Sequence, residues 1–303
     1  MNQHLLDVIN FKKEDILSYI SKAQDMKMFL KQENILTCLK GKILACLFFE
    51  PSTRTSCSFQ AAMLKMGGSV ISVTDKYSSV EKGETLEDTI RSLGCYADAI
   101  VLRHPLKGSS HLAASVSNIP IINAGDGNGE HPTQALLDIF TIYSELGSLD
   151  KELVITFLGD LKNSRTIHSL IRLLCLFPKM KFIYISPESL EMPSEIVSFV
   201  EEKGIEQVTL MGLEEAIKLT DVLYVTRIQK ERFTDISLYG TISKYCVDAK
   251  VLLGAKEKMI IMHPLPRNQE IAVEVDADPR AVYFKQMKYG LYMRMAILNT
   301  LML

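Results

Sequence analysis

Ile43-Leu-Ala-Cys-Leu-Phe-Phe49, then Glu50-Pro51-Ser52, then Thr53-Arg-Thr-Ser-Cys-Ser-Phe-Gln-Ala-Ala-Met-Leu-Lys-Met66 reads as three pieces in sequence. The first is an unbroken apolar run, the signature of a strand buried on both faces. The last carries apolar residues at helical spacing, and the middle is a proline-containing turn. Strand, turn and helix follow one another again along the chain. Further strand-like runs are Ala99–Leu102, Ile119–Ile122, Leu153–Leu158, Phe182–Ile185, Asp221–Val225 and Met259–Met262. Helical spacing covers Thr85–Tyr96, Pro132–Leu146, Ser164–Leu176 and Ser194–Glu202. The alternation predicts an α/β protein with parallel sheets flanked by helices.

Pro132 opens a long helix near mid-chain, and the turn-rich Gly147–Asp150 that follows it precedes a new strand–helix series. A domain boundary therefore falls inside or beside that helix. Tyr289–Leu303 is a Met- and Leu-rich helical stretch that needs a core to bury itself against. The 303 residues suffice for two domains with separate cores.

Charge and composition narrow the class. Lys and Arg number 34 against 36 Asp and Glu, a net charge of −2, so bulk attraction to nucleic acid or anionic membrane is not expected. No window holds the roughly 18 apolar residues of a membrane span. The N-terminal MNQHLLDVINFKKEDIL has early acids and no continuous apolar core, which argues against a secretory signal. Six cysteines, at 38, 46, 57, 95, 175 and 246, lack metal-ligand spacing and fit reduced thiols in a cytoplasmic protein.

Candidate chemistry gathers where strands end. Ser52, Thr53, Arg54 and Thr55 place hydroxyls and a guanidinium at a helix N-terminus, where free N–H groups and the helix dipole favour an anion. Ser52 could instead be a plain N-cap and Arg54 a solvated side chain. Arg103, in Arg103-His104-Pro105, ends a strand on the same expected sheet edge, where open α/β sheets bind ligands. Asn123–Gln134 is glycine-rich, but its G-x-G-x-G spacing argues against a dinucleotide fingerprint. His131 and Gln134 stand at the start of the following helix; His131 could be a neutral hydrogen-bond donor to a carbonyl or merely a cap. In the second half, Arg165 and Arg227 each follow a strand and together suit a substrate with two carboxylates, although either alone could be a surface residue. His263-Pro264-Leu265-Pro266 supplies carbonyls without proline N–H groups, a match for an amide NH₂.

In order, S-T-R-T, R-H-P, G-E-H-P-T-Q, G-D-L-K-x-x-R-T, R-I-Q-K-E-R and H-P-L-P resemble the aspartate/ornithine carbamoyltransferase family from end to end. The resemblance is greatest to its aspartate-specific catalytic chains, including those fused into multifunctional eukaryotic pyrimidine enzymes. It implies transfer of the carbamoyl group from carbamoyl phosphate to the amine of L-aspartate in de novo pyrimidine biosynthesis, with no cofactor and no metal. It implies that Ser52, Thr53, Arg54 and Thr55 hold the phosphate and that Arg103 reaches phosphate and carbonyl oxygen. His131 and Thr55 would polarise the carbonyl, while Gln134 and the carbonyls of Pro264 and Leu265 would bind the carbamoyl NH₂. Arg165, Arg227 and Gln229 would bind the aspartate carboxylates. Ser78 and Lys82, in an otherwise unremarkable polar loop, would reach a neighbouring subunit's site in a homotrimer. Regulatory or other pathway subunits are possible further partners.

The resemblance also implies a carbamoyl phosphate-binding domain of residues 1–132 plus 289–303, with the C-terminal helix packing back on it, and an aspartate-binding domain of residues 133–288. One departure lies in Ser56-Cys57-Ser58-Phe59-Gln60, where many relatives carry R-x-S-F-E. An ornithine-specific member would carry H-C-L-P and a lysine in place of Glu50. A non-catalytic scaffold would have no need of the polar set, and a dinucleotide oxidoreductase lacks its fingerprint here.

Overall fold

The structure, a computed structural model, describes residues 3–32, 36–74, 83–210, 212–228 and 245–303. The chain forms two compact units, Met1–Phe140 with Lys288–Leu303, and Thr141–Met287. The first division falls inside the helix opened by Pro132.

The first unit holds a four-stranded parallel sheet of β1 (Ile43–Phe48), β2 (Ser69–Thr74), β3 (Ala99–His104) and β4 (Ile121–Asp126), in the order β2-β1-β3-β4. Around it lie α1 (Lys13–Lys31), α2 (Thr53–Lys65), α3 (Leu86–Gly94) and α4 (Ser109–Val116), with α5 (Pro132–Leu146) following β4. β1, an unbroken apolar run, is buried almost throughout, and so is β4, whose Asn123 and Asp126 are hydrogen-bonded. α2 turns Thr55, Phe59, Ala62 and Met63 inward, a three-to-four-residue repeat that makes one apolar stripe.

The second unit holds a five-stranded parallel sheet of β5 (Leu153–Leu158), β6 (Met180–Ile185), β7 (Glu206–Thr209), β8 (Val222–Val225) and β9 (Ile260–Met262), in the order β7-β6-β5-β8-β9. Its helices include α6 (Arg165–Leu174), α7 (Ser194–Glu202) and the one-turn α8 (Leu213–Ala216) and α9 (Ala249–Leu252). The final helix, α10 (Tyr283–Met302), starts six residues before the expected Tyr289. Its C-terminal part belongs to the first unit, where Lys22 Nζ donates to Thr300 Oγ1 at 2.9 Å and Tyr289 meets Phe140 edge-on at 5.6 Å. The C-terminal helix thus packs back on the first unit as expected.

β2 and β7 have no counterpart among the expected strands. Both lie at sheet edges, and both carry polar residues where inner strands carry Ile, Leu and Val. β7 is largely solvated, unlike the edge strands β4 and β9, which are buried, and a solvated strand needs no apolar run.

Each sheet reverses its strand order once, between β1 and β3 in the first and between β5 and β8 in the second. At such switch points the connections leave in opposite directions and open a crevice beyond the carboxyl ends. In register, Phe48 pairs with Arg103, and Leu158 with Val225. The segments following β1, β3, β5 and β8 are therefore the expected ligand-binding positions. Among the described residues, no helix is long and apolar enough to cross a membrane.

Candidate active site

The turn after β1 carries Ser52 at the N-cap of α2, and its side chain makes no capping hydrogen bond. No acid occupies the first turn of that helix, which leaves its positive end open to an anion. Thr55 is buried and Arg54 exposed. Packing around the Arg54 guanidinium holds its pKa below the ordinary arginine value, and the like charge of Arg103 adds to that. Arg103, at the end of β3, is also held below its ordinary value by burial, opposed by Glu50. Its Nε lies 3.2 Å from Glu50 Oε2, an ion pair whose two atoms are not aligned as a hydrogen bond. Its NH1 donates to Ala124 O at 3.4 Å. Two guanidinium groups that repel each other beside a helix N-terminus, with Glu50 as their nearby acid, form a place that an anion would stabilise.

Ser56 and Gln60, the departure from the common family pattern, bond to each other: Gln60 Nε2 donates to Ser56 Oγ at 2.9 Å. The exchange is absorbed one turn along α2 and leaves Ser52–Thr55 as read.

The glycine-rich segment after β4 is a built turn. Asp126 Oδ1 accepts from Glu130 N and its Oδ2 from Gly108 N, each at 2.8 Å. Gly127 has φ +53°, and a Cβ there would stand 2.3 Å from Pro105 O. Glycine is required because the segments after β3 and β4 touch backbone to backbone. The turn delivers His131 and Gln134, both buried, to the start of α5, where His131 O accepts from Gln134 N at 3.0 Å and Ala135 N at 3.1 Å. Gln134 Nε2 donates to Asp138 Oδ1 at 2.8 Å, one turn further along the helix.

In the second unit, the segment after β5 is fixed from several sides. Gly159 has φ +121°, and a Cβ there would stand 2.3 Å from Thr226 O, so this glycine lets the segments after β5 and β8 pass in contact. Asp160 accepts from Asn163 N at 2.9 Å, and the Asn163 carbonyl accepts from Arg165 N at 3.1 Å. His168 Nε2 donates to Leu161 O at 2.7 Å. Burial pushes the His168 pKa down, against the pull of that carbonyl, which favours the neutral donor form. Arg165 is the first residue of α6 and Arg227 follows β8 directly; both are half-buried.

Beyond β9, Leu265 adopts φ +55°, a left-handed backbone that non-glycine residues seldom take. His263 Nδ1 accepts from Leu265 N at 2.8 Å, so the ring proton sits on Nε2, which donates to Glu270 Oε1 at 2.8 Å. Asn268 N donates to the same carboxylate oxygen at 3.0 Å. This network fixes the backbone of Pro264 and Leu265. Arg267, next in the motif, is instead engaged with Asp276 and Tyr283.

Ser78, Lys82 and Gln229 lie outside the described residues. Sequence reasoning passed over Glu50 as Arg103's partner, Asp138 beneath Gln134, and Glu270 behind His263. Of these, Asp138 left a visible signal, as an acid inside the apolar run Ala135-Leu-Leu-Asp-Ile-Phe140. Among the described residues no group of three or more His, Cys, Asp or Glu is placed to hold a metal ion.

A donor-rich helix N-terminus at one switch point and an arginine beyond each of two strands at the other give an α/β protein suited to anionic ligands. Comparison with known proteins makes this specific. The sequence model of the aspartate/ornithine carbamoyltransferase carbamoyl-P binding domain matches residues 3–144, and that of the Asp/Orn binding domain matches residues 151–301. The chain belongs to the aspartate/ornithine carbamoyltransferase family. It is 50% identical over 305 residues to the aspartate carbamoyltransferase catalytic subunit of Archaeoglobus fulgidus, covering 100% of both chains. It is also 50% identical over 297 residues to the multifunctional protein pyr1-3 of Dictyostelium discoideum, covering 98% of this chain and 13% of that one. The chain thus spans a small fraction of the multifunctional relatives it matches. Among solved structures, aspartate transcarbamoylase from Trypanosoma cruzi in complex with N-(phosphonacetyl)-L-aspartic acid superposes with a TM-score of 0.94 at 45% identity, covering 98% of this chain and 95% of that one. The catalytic subunit of the M. jannaschii enzyme gives a TM-score of 0.94 at 47% identity, with 99% and 98% covered.

Proposed function

We propose that the chain is an aspartate carbamoyltransferase, converting carbamoyl phosphate and L-aspartate to N-carbamoyl-L-aspartate and phosphate. The observation that carries this reading is a division of labour. The first unit has a helix N-terminus with the two mutually repelling guanidiniums of Arg54 and Arg103, suited to a phosphate. The second has Arg165 and Arg227 on separate segments of one switch point, suited to two carboxylates. Aspartate has two carboxylates, whereas ornithine has one and a cationic side chain.

In the reaction the aspartate amine donates its lone pair to the carbamoyl carbon. A C–N bond forms, negative charge builds on the carbonyl oxygen, and the C–O bond to phosphate breaks as phosphate leaves with the electron pair. The amine proton is lost to phosphate or solvent. Ser52, Thr53, Arg54 and Thr55 bind the phosphoryl oxygens, and Arg103, Thr55 and His131 donate toward the carbonyl oxygen. Gln134 and the backbone carbonyls of Pro264 and Leu265 accept from the carbamoyl NH₂. Arg165, Arg227 and Gln229 bind the aspartate carboxylates. Ser78 and Lys82 complete the site of a neighbouring chain in a homotrimer. We place the protein in the cytoplasm in pyrimidine biosynthesis, a setting with which its six free thiols agree. Assembly with other pathway enzymes is part of the same proposal, since several similar chains lie within multifunctional proteins.

The test is a colorimetric ureido assay with carbamoyl phosphate and either L-aspartate or L-ornithine. Carbamoyl aspartate is the expected product. Citrulline, or no ureido product, would overturn the assignment.

A further inference from the structure

The first unit buries two ionisable side chains of opposite sign that the reaction does not call on directly. Asp138 and Arg294 are both almost wholly excluded from solvent, Asp138 on α5 and Arg294 on the part of α10 belonging to the same unit. Burial pushes the Arg294 pKa down to about 10, opposed by the charge of Asp138, so the guanidinium is still a cation at neutral pH. It lies over the Phe59 ring at 5.2 Å, and its Nε has no hydrogen-bond partner among the described residues. Burying two charges is costly, and such pairs are weak evidence of a stabilising role. The pair therefore calls for another explanation.

Gln134 supplies one. Its carboxamide has one oxygen that accepts and one NH₂ that donates, and nothing in its shape selects between the two orientations. An ionised carboxylate only accepts. With Asp138 Oδ1 at 2.8 Å, the Gln134 NH₂ must face Asp138, which turns Oε1 to the other side. The Arg294 cation, buried in the same unit, feels the charge of Asp138, an attraction that favours the carboxylate over the acid. We infer that Asp138 and Arg294 are positioning residues that lock the Gln134 amide with its oxygen toward the ligand, so that the site selects an NH₂ at the transferred carbon and rejects a methyl group. This rests on the proposed carbamoyl transfer and on Gln134 as the residue that meets the carbamoyl NH₂.

The probe is acetyl phosphate, which carries a methyl group where carbamoyl phosphate carries NH₂. Inorganic phosphate is the control, since it tests Ser52–Thr55 alone. Asp138→Asn is nearly isosteric but can donate as well as accept, which frees the Gln134 amide to reverse. Its KM for carbamoyl phosphate should rise about tenfold, the usual consequence of an unmatched buried polar group. The inhibition constants of acetyl phosphate and inorganic phosphate should stay within about twofold of wild type, because neither uses the amide oxygen. A parallel loss of all three ligands would show a merely structural role and overturn the inference, as would unchanged discrimination. Should Asp138→Asn fail to fold, a neutron structure of the wild-type protein with carbamoyl phosphate decides the point: Gln134 deuterons directed at Asp138 are expected, and deuterons directed at the ligand would refute it. Wild-type turnover, measured first, keeps this separate from the functional reading. Absence of ureido product from the wild type would sink the proposed function, whereas an active wild type whose variant still discriminates would sink only the amide lock.

Discussion

The two units solve the same problem with different means. Both place their candidate ligand-binding residues beyond the carboxyl ends of strands at a switch point. In the first, Ser52 to Thr55 form one contiguous cluster on the end of a 13-residue helix, joined by Arg103 from the neighbouring strand. In the second, Arg165 and Arg227 come from separate segments after β5 and β8, brought into contact through Gly159 and Thr226. A phosphate is compact and can be wrapped by one turn and a helix dipole. Two carboxylates on a short carbon chain are spread out and require two separately positioned arginines.

The sharpest way to break this contrast is Arg54→Ala. It removes a donor from the compact anion site, and kcat/KM should fall by about 10²–10³ or more while the thermal transition is unchanged. Steady-state kinetics with circular dichroism would check it; near-normal turnover would remove the anion turn from the account. Arg227→Gln should act on the other side. A lost charge-assisted pair is worth about 1.5–3 kcal/mol, so KM for aspartate should rise roughly 10- to 150-fold, with the phosphate inhibition constant little changed. A variant that weakened phosphate as strongly as aspartate would erase the division of labour.

Gly159→Ala probes how the second site is assembled. The new Cβ would meet the Thr226 carbonyl, and φ +121° is unfavourable for alanine, so a loss of about 1–3 kcal/mol in unfolding free energy is expected. Denaturant unfolding measures it, and aspartate saturation should suffer more than carbamoyl phosphate saturation. An alanine variant of unchanged stability would mean the two segments do not depend on that contact.

The smallest effect concerns pH. Burial alone would raise the Glu270 pKa, but the hydrogen bonds from His263 Nε2 and the Asn268 N–H outweigh it and hold the carboxyl below its ordinary value. A depressed folded pKa contributes stability above the unfolded value that is lost as pH falls through the folded one. The melting temperature of the second unit should therefore decline below about pH 4.5 more steeply in wild type than in Glu270→Gln, with the two curves converging in acid. Parallel curves from pH 7 to pH 3 would refute the coupling.

How much of this was legible in the sequence depended on what each residue's role requires. The buried strands, β4 and β9 at sheet edges included, were readable because burial leaves an apolar run; β2 and β7, more solvated edges, need none. Ser52–Thr55 was readable because the donors are adjacent in the chain. Arg165 and Arg227 announced two strand ends, but the close approach of the segments that carry them, Gly159 against Thr226, is a contact between distant parts of the chain. Asp138 could be noticed as an acid in an apolar run, yet Arg294 lies on the last helix, and only the fold buries both in one unit. His263 and the proline turn could be recognised, while the ring tautomer is set by Leu265 N–H on one side and Glu270 on the other. Residues that act alone or with neighbours in sequence can be read early; residues that orient others need the packing.

The central claim is that one unit binds the phosphate and the other the dicarboxylate. A crystal structure of the protein with a bisubstrate mimic bearing phosphonate and aspartate groups tests it most directly. The phosphonate should lie on Ser52–Thr55 and Arg103, and the two carboxylates on Arg165 and Arg227. A phosphonate bound at Arg165 and Arg227, or carboxylates bound at the Ser52–Thr55 turn, would contradict it.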